Sequence, residues 1–371
     1  MKKEGFFKIA GIVAAATVGD GVFALPFIFY QSGWLLSLFY FALLGAMVVS
    51  AHILYLKTLE KVGEKERLLG LVRIYLGEGG FWIGLMVIVL GLLLTLVAYL
   101  ILGAQFIRLA IPGMPPLLPL IIFWIFISLP VFLSDRHVVD LELVGIACSS
   151  SVILLIFLTA WPNVTFSGIA AVNTQNLFLP FGAILFSLAG WTSIEPAYES
   201  RKKFGRDKGD GAWKALALGT VSAIALYAMF VAGILGSAAQ IAPDTVSGLA
   251  GWPGWKKEIL TVLGLLTVAT VYLPISREIK NALEHDLGWS KFASRSLILF
   301  APLALIGLGF NNFLTVVGLV GGAFLSMQYL LIVFVGRHAL SLSPVRKFFL
   351  DLIAAIFILA AVYEVYVFIV R

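Results

Sequence analysis

Asp20 stands between Gly19 and Gly21 at the centre of an apolar run from Phe6 to Tyr30, and Pro26 follows five residues after the second glycine. A run of that length can span a bilayer, which takes about 20 apolar residues. A carboxylate at such depth is costly unless it faces a cavity or a partner. Glycine makes a break in the helical ladder cheap. Bare backbone at membrane depth is tolerated only where protein or a watery cavity covers it. An opened run sets the carbonyls of its first half and the amides of its second half around one gap, which can hold a cation and a carboxylate together. Asp20 itself has three readings: a proton carrier, a ligand for a cation or a substrate amine, or a cap on the second half-helix.

A second apolar run, Leu177 to Glu199, is interrupted by Gly190 and by Glu195-Pro196. Proline removes a backbone donor and disfavours helix in the residue before it. Desolvation at membrane depth favours the neutral carboxyl, so Asp20 and Glu195 are both candidates to carry a coupling proton. In the third run Thr95, Tyr99, Gly103 and Gln105 interrupt an apolar span, with Tyr99 and Gly103 one turn apart on one face. Thr267, Thr270 and Ser276 stand in the eighth run, where a hydroxyl bonded back to its own helix is the plain alternative to a ligand. His52, His137 and Glu364 fall near predicted helix ends and are expected to snorkel.

The elements that must position these residues are membrane helices. Of 371 residues, 61% are hydrophobic and only 12% charged, against about 25% charged in soluble domains. Apolar runs of spanning length predict eleven transmembrane helices, at 6–31, 34–57, 80–111, 116–134, 138–161, 176–200, 211–238, 256–286, 292–310, 312–336 and 345–370. The chain reads as one transmembrane domain. With the N-terminus cytoplasmic, all of the 26 Lys and Arg except Arg108, Lys256, Lys257 and Arg371 lie on the inner side. That bias places the C-terminus outside, as an integral protein of a prokaryotic-type plasma membrane. The interrupted runs are the first and the sixth, of opposite direction. They predict an inverted 5+5 repeat, 1–161 and 176–336, with an added helix at 345–370 and a site between the two breaks.

Other classes are disfavoured. The basic residues sit in short loops, which does not suggest nucleic acid. The lone Cys148 leaves no disulfide within the chain. No His-Glu-x-x-His, Cys/His cluster, Gly-x-Ser-x-Gly or P-loop is present, so neither an enzyme nor a nucleotide-driven pump is expected, and no cofactor beyond a coupling ion. The basic, apolar start Lys2 to Val18 imitates a signal peptide, but its apolar run continues to Tyr30 and is expected to remain. Asn163-Val164-Thr165 fits a glycosylation sequon and is given no role.

The stretch Gly19-Asp20-Gly21 with Ala24-Leu25-Pro26, the stretch Phe186 to Ile194, and Tyr99-x-x-x-Gly103 together resemble amino acid permeases of the amino acid/auxin branch of the APC superfamily. The resemblance implies a LeuT-like fold and transport of a small amino acid across the lipid bilayer by proton or sodium symport. It implies a substrate carboxylate at the amides of Gly19 and Gly21, a substrate amine at carbonyls near Ala189 and Gly190, and a side-chain pocket walled by Phe23, Tyr99 and Trp191. A sodium ion would use carbonyls at Ala16 and Thr17 with the hydroxyl of Thr270. This chain departs from the pattern in three places: Asp20 replaces a small or neutral residue, Glu195 precedes Pro196 where proline is expected first, and Val271 supplies no second hydroxyl. The incomplete sodium set tilts the expectation toward protons. A membrane sensor of the same fold, or a carrier of an organic amine, stays open.

Overall fold

The computed structural model describes residues 3–63, 66–128, 135–160, 169–203, 211–238 and 240–370. Every regular element among them is helical. In chain order these are α1 (Lys3–Thr17), α2 (Leu25–Ser32), α3 (Trp34–Val62), α4 (Leu68–Ala110), α5 (Leu118–Ser128), α6 (Asp135–Ala160) and α7 (Leu179–Leu188). They continue as α8 (Ile194–Lys203), α9 (Gly211–Ser237), α10 (Gly254–Asn281), α11 (Lys291–Gly307), α12 (Phe313–Leu319), α13 (Ser326–Ala339) and α14 (Pro344–Val370). Single π-helical turns extend α10 through Ala282–Asp286 and join α12 to α13 through Val320–Leu325.

Local chemistry sets the element ends. Pro26 and Pro180 sit in the first turns of α2 and α7, where a missing N–H costs nothing. Asn312 caps α12 by accepting from the Thr315 amide at 2.9 Å. α4 starts well before the expected residue 80. It bends at Gly77, whose φ of 75° suits only glycine, so that a short entry segment from Leu68 precedes the long apolar span.

Length and composition qualify six helical stretches as membrane spans: α3, α4, α9, α10 with its π turn, α12 through α13, and α14. α1 with the segment Asp20–Ser32 forms a further, bent pair, the two halves inclined by 48°. The core of the bundle is α4, packed on α5, α10, α11 and α13, while α9 packs on α1 and α6. α14 packs on α13 and leaves its other face, including Leu359 and Ile369, exposed. Such apolar exposure suits a surface covered by lipid.

Two expectations are overturned here. His52 is fully buried in α3 and does not reach a water interface. Glu364 is half-buried, packed over Gly318 and Gly322 rather than extended outward. The Asn163 sequon, residues 129–134 of the expected fourth helix and the side chain of His137 lie outside the described residues.

Candidate functional site

Both interruptions expected from the sequence are real breaks. α1 stops at Thr17, Gly19 is extended (φ −127°, ψ −165°), and Asp20–Ala24 close a tight 3₁₀ turn before α2. α7 stops at Leu188, Ala189 is extended (φ −65°, ψ 122°), and Trp191–Ser193 form a 3₁₀ turn leading into α8. Here the sequence reading needs a correction. Glu195 and Pro196 lie inside the first turn of α8, where proline is compatible with helix, so Gly190 alone marks the break.

The two breaks touch. Gly21 seats the first against α7: a Cβ there would lie 2.7 Å from Ser187 Oγ and 2.8 Å from Ser187 Cα. Gly190 seats the second against α1, since its Cβ would lie 2.7 Å from Thr17 Oγ1. Between them stands Tyr227, a fully buried residue of α9 that the sequence did not single out. Its hydroxyl meets the Thr17 carbonyl and, at 2.7 Å, the Ser187 carbonyl. One phenolic proton serves one carbonyl at a time. The C-terminal ends of two half-helices therefore converge with more acceptors than donors, a place suited to positive charge.

Asp20 lies at this convergence. It is 1% exposed, and neither carboxylate oxygen has a hydrogen-bond partner among the described residues. α2 has no side-chain cap, which overturns the capping reading. Tyr99 of α4 and Tyr227 are within electrostatic reach of the carboxyl. Gly19 has an open face, bounded by its own turn and by Tyr99 Oη, 4.0 Å from where a Cβ would stand. The Thr17 hydroxyl is a second buried group without a partner.

The remaining candidates fall around this centre or away from it. Phe23 is buried edge-on against Phe106 at 5.3 Å and Phe230 at 5.2 Å, so it packs the wall behind the turn. Trp191 is buried too, and its indole donates to Gln328 Oε1 at 2.8 Å. Ala16 is exposed, whereas its neighbour Thr17 is buried. The Thr270 hydroxyl donates to its own helix at Thr267 (2.8 Å) and packs on Gly145 of α6, which leaves the lone pairs of its oxygen to accept.

Glu195 belongs to a different place. It accepts from Tyr55 Oη at 2.7 Å and stands 3.7 Å from Arg67, which also faces Glu278 at 3.8 Å. A cavity of about 660 Å³ opens there, lined by Glu66, Arg67, Glu195, Tyr198, Glu199 and Lys202 among others. The same end carries the Arg201–Glu60 ion pair and the Lys61 bond to the Ala339 carbonyl. Asp20 and Glu195 thus sit in separate environments, one at the breaks and one in a charged network.

The fold is similar to that of the Eremococcus coleocola manganese transporter solved with an aromatic bis-isothiourea substituted compound, with a TM-score of 0.66 and 13% identity over 97% of this chain and 86% of that one. It is also similar to Mhp1, a nucleobase-cation-symport-1 family transporter solved in a closed conformation with bromovinylhydantoin bound, with a TM-score of 0.62 and 14% identity over 97% and 91% of the two chains. No curated protein matches the sequence. The model of the tryptophan/tyrosine permease family matches residues 2–248, well over half of the chain. Paired helix breaks, a transporter fold and that match make this an integral membrane transporter rather than an enzyme, and the chain belongs to the tryptophan/tyrosine permease family.

Proposed function

We propose that this protein moves an aromatic amino acid across a prokaryotic-type plasma membrane by alternating access, in symport with a proton carried on Asp20. The observation that carries this reading is the Asp20 carboxyl, buried and without a hydrogen-bond partner where the two broken helices meet. An isolated carboxylate at that depth is tolerated only if a cation or a proton joins it in part of the cycle. The family's own description names tryptophan and tyrosine, which supports an aromatic amino acid as the substrate class. The amino acid would lie between the breaks, its carboxylate toward the amides of the Gly19–Gly21 turn and its ammonium toward the carbonyl of Ala189. Tyr99 would wall the side-chain pocket.

The wider frame of this proposal is eleven spans in two inverted five-helix units plus α14, with the N-terminus inside and the C-terminus outside. The inner assignment of the Arg67–Glu195 end is supported by the Lys and Arg gathered there. A proton is preferred to sodium because Val271 supplies no hydroxyl beside Thr270, while the Asp20 carboxyl stands buried without a hydrogen-bond partner.

Uptake of labelled tryptophan and tyrosine into proteoliposomes, under a pH gradient and under a sodium gradient separately, tests the reading. Accumulation driven by the pH gradient alone, and lost in Asp20→Asn, is the expected result. Accumulation that needs sodium and survives Asp20→Asn would reject proton coupling. Binding without any uptake would reject transport in favour of sensing.

A further inference from the structure

Two consecutive residues of α13 hold two consecutive residues of the second break. The Gly190 amide donates to Tyr329 Oη at 3.3 Å, and the Trp191 indole donates to Gln328 Oε1 at 2.8 Å. Each holder is fixed from behind. Tyr329 Oη lies 3.1 Å from Nε2 of His52 on α3, and Gln328 Nε2 donates to the Val87 carbonyl of α4 at 3.3 Å. His52, Tyr329 and Gln328 are all fully buried.

Proton accounting gives the Gly190 contact its direction. An amide N–H can only donate, so Tyr329 oxygen accepts from Gly190. The tyrosine oxygen keeps a second lone pair, so the bond with His52 runs from Tyr329 to Nε2 when the ring proton is on Nδ1 and from Nε2 to Tyr329 in the other tautomer. The Gly190 carbonyl is already engaged, accepting from the Ser193 amide at 3.0 Å and from Ser193 Oγ at 2.6 Å. At a helix break inside the membrane the amide would be left bare without Tyr329. The turn also has little freedom to shift toward the first break, because Thr17 Oγ1 closes that side.

We propose that Tyr329 and Gln328, backed by His52, are positioning residues that set the orientation of the unwound turn 189–191. They thereby aim the Ala189 carbonyl, which the transport reading gives to the substrate ammonium. The inference rests on that reading for its effect on transport, and on the hydrogen-bond chain alone for its effect on the turn.

The test uses the full chain in proteoliposomes, with labelled tryptophan uptake resolved into KM and maximal rate, and hydrogen–deuterium exchange of the segment 187–193. Tyr329→Phe and His52→Ala are expected to raise KM about tenfold with the maximal rate within about twofold, the fold-change of one lost buried hydrogen bond. Both are expected to speed exchange of the segment. His52→Gln, whose amide can accept the tyrosine proton or donate to the tyrosine oxygen, should restore KM to within about threefold and restore slow exchange. A merely structural role would not produce that rescue. Unchanged KM in Tyr329→Phe, or His52→Gln as impaired as His52→Ala, would overturn the proposal. Gln328→Met gives an independent arm with the same expected rise in KM, and no rise there counts against it. If the wild-type protein takes up no aromatic amino acid, the transport reading fails. The exchange data then decide the latch by themselves, since unchanged exchange in Tyr329→Phe refutes it.

Discussion

The hydroxyl of Tyr227 lies 2.7 Å from the carbonyl of Ser187, so a side chain of α9 holds the C-terminal end of α7. The same hydroxyl meets the Thr17 carbonyl at the end of α1. One oxygen is thus the shared tether of two broken helices whose ends are far apart in the chain and are brought together by tertiary packing. Tyr227→Phe keeps the ring and its packing and removes the tether. It is expected to lower stability by about 1–3 kcal/mol, because buried acceptors lose their donor, and to slow uptake at least about tenfold. Thermal unfolding in detergent and proteoliposome uptake check the two effects. Wild-type uptake in Tyr227→Phe would show that the tether is dispensable.

Gly19 and Gly21 are alike in sequence and different in space. A Cβ at Gly21 meets the Ser187 backbone at 2.8 Å, whereas one at Gly19 finds nothing nearer than 3.9 Å. Gly21→Ala is therefore expected to force α7 away and to destabilise the protein by about 1–3 kcal/mol, the cost of overpacking. Gly19→Ala should fold normally and act on transport alone, since its open face looks toward Tyr99. Melting temperatures and KM of the two variants separate these outcomes. Equal melting temperatures would contradict the steric argument.

These two glycines show what was legible in the sequence. The breaks were, because glycine and proline act through local backbone energetics that one chain displays by itself. The Asp20 site was partly legible, as an acid where lipid depth makes acids expensive. Its partners were not. Tyr227, Tyr329 and Gln328 read as ordinary residues of apolar helices, and only the packing of α9 and α13 brings them to the breaks. His52 read as an end residue because the span of α3 was taken to finish at residue 57, while the helix runs on to Val62. Glu195 misled in the opposite way: its proline suggested a break, yet both residues begin α8.

The loop between α9 and α10 carries a strained residue. Thr245 is the one non-glycine residue at positive φ among those described (φ 60°, ψ −46°). Asp244, Thr245 and Val246 form a γ-turn of the rare hand, with the Val246 amide 2.6 Å from the Asp244 carbonyl. A β-branched residue there costs about 1–3 kcal/mol. The hydroxyl compensates in part by donating to the Phe23 carbonyl at 2.5 Å, fastening the loop to the first break. Thr245→Val and Thr245→Gly both lose that bond, but only valine keeps the strain. Thr245→Gly is expected to be the more stable of the two by about 1–3 kcal/mol, with similar changes in uptake. Denaturation of the purified variants measures the difference, and a valine variant as stable as the glycine one would dismiss the strain.

Asp20 and Glu195 are both acids on the interrupted segments, and their surroundings differ. Asp20 has no hydrogen-bond partner for its charge among the described residues, whereas Glu195 has the Tyr55 hydroxyl and the Arg67 guanidinium. A proton joining Asp20 removes an isolated buried charge. A proton joining Glu195 weakens an ion pair that ties α8 to the start of α4, with Glu278 of α10 on the same arginine. Asp20→Asn is therefore expected to abolish accumulation driven by a pH gradient while leaving exchange of labelled for unlabelled substrate measurable. Glu195→Gln should keep the dependence on the pH gradient and change the rate, because the amide retains the Tyr55 contact and loses the attraction of Arg67. Counterflow and gradient-driven uptake in the same vesicles distinguish the two. Loss of pH-driven accumulation in Glu195→Gln, with Asp20→Asn unaffected, would move the proton from the breaks to the charged end of the bundle.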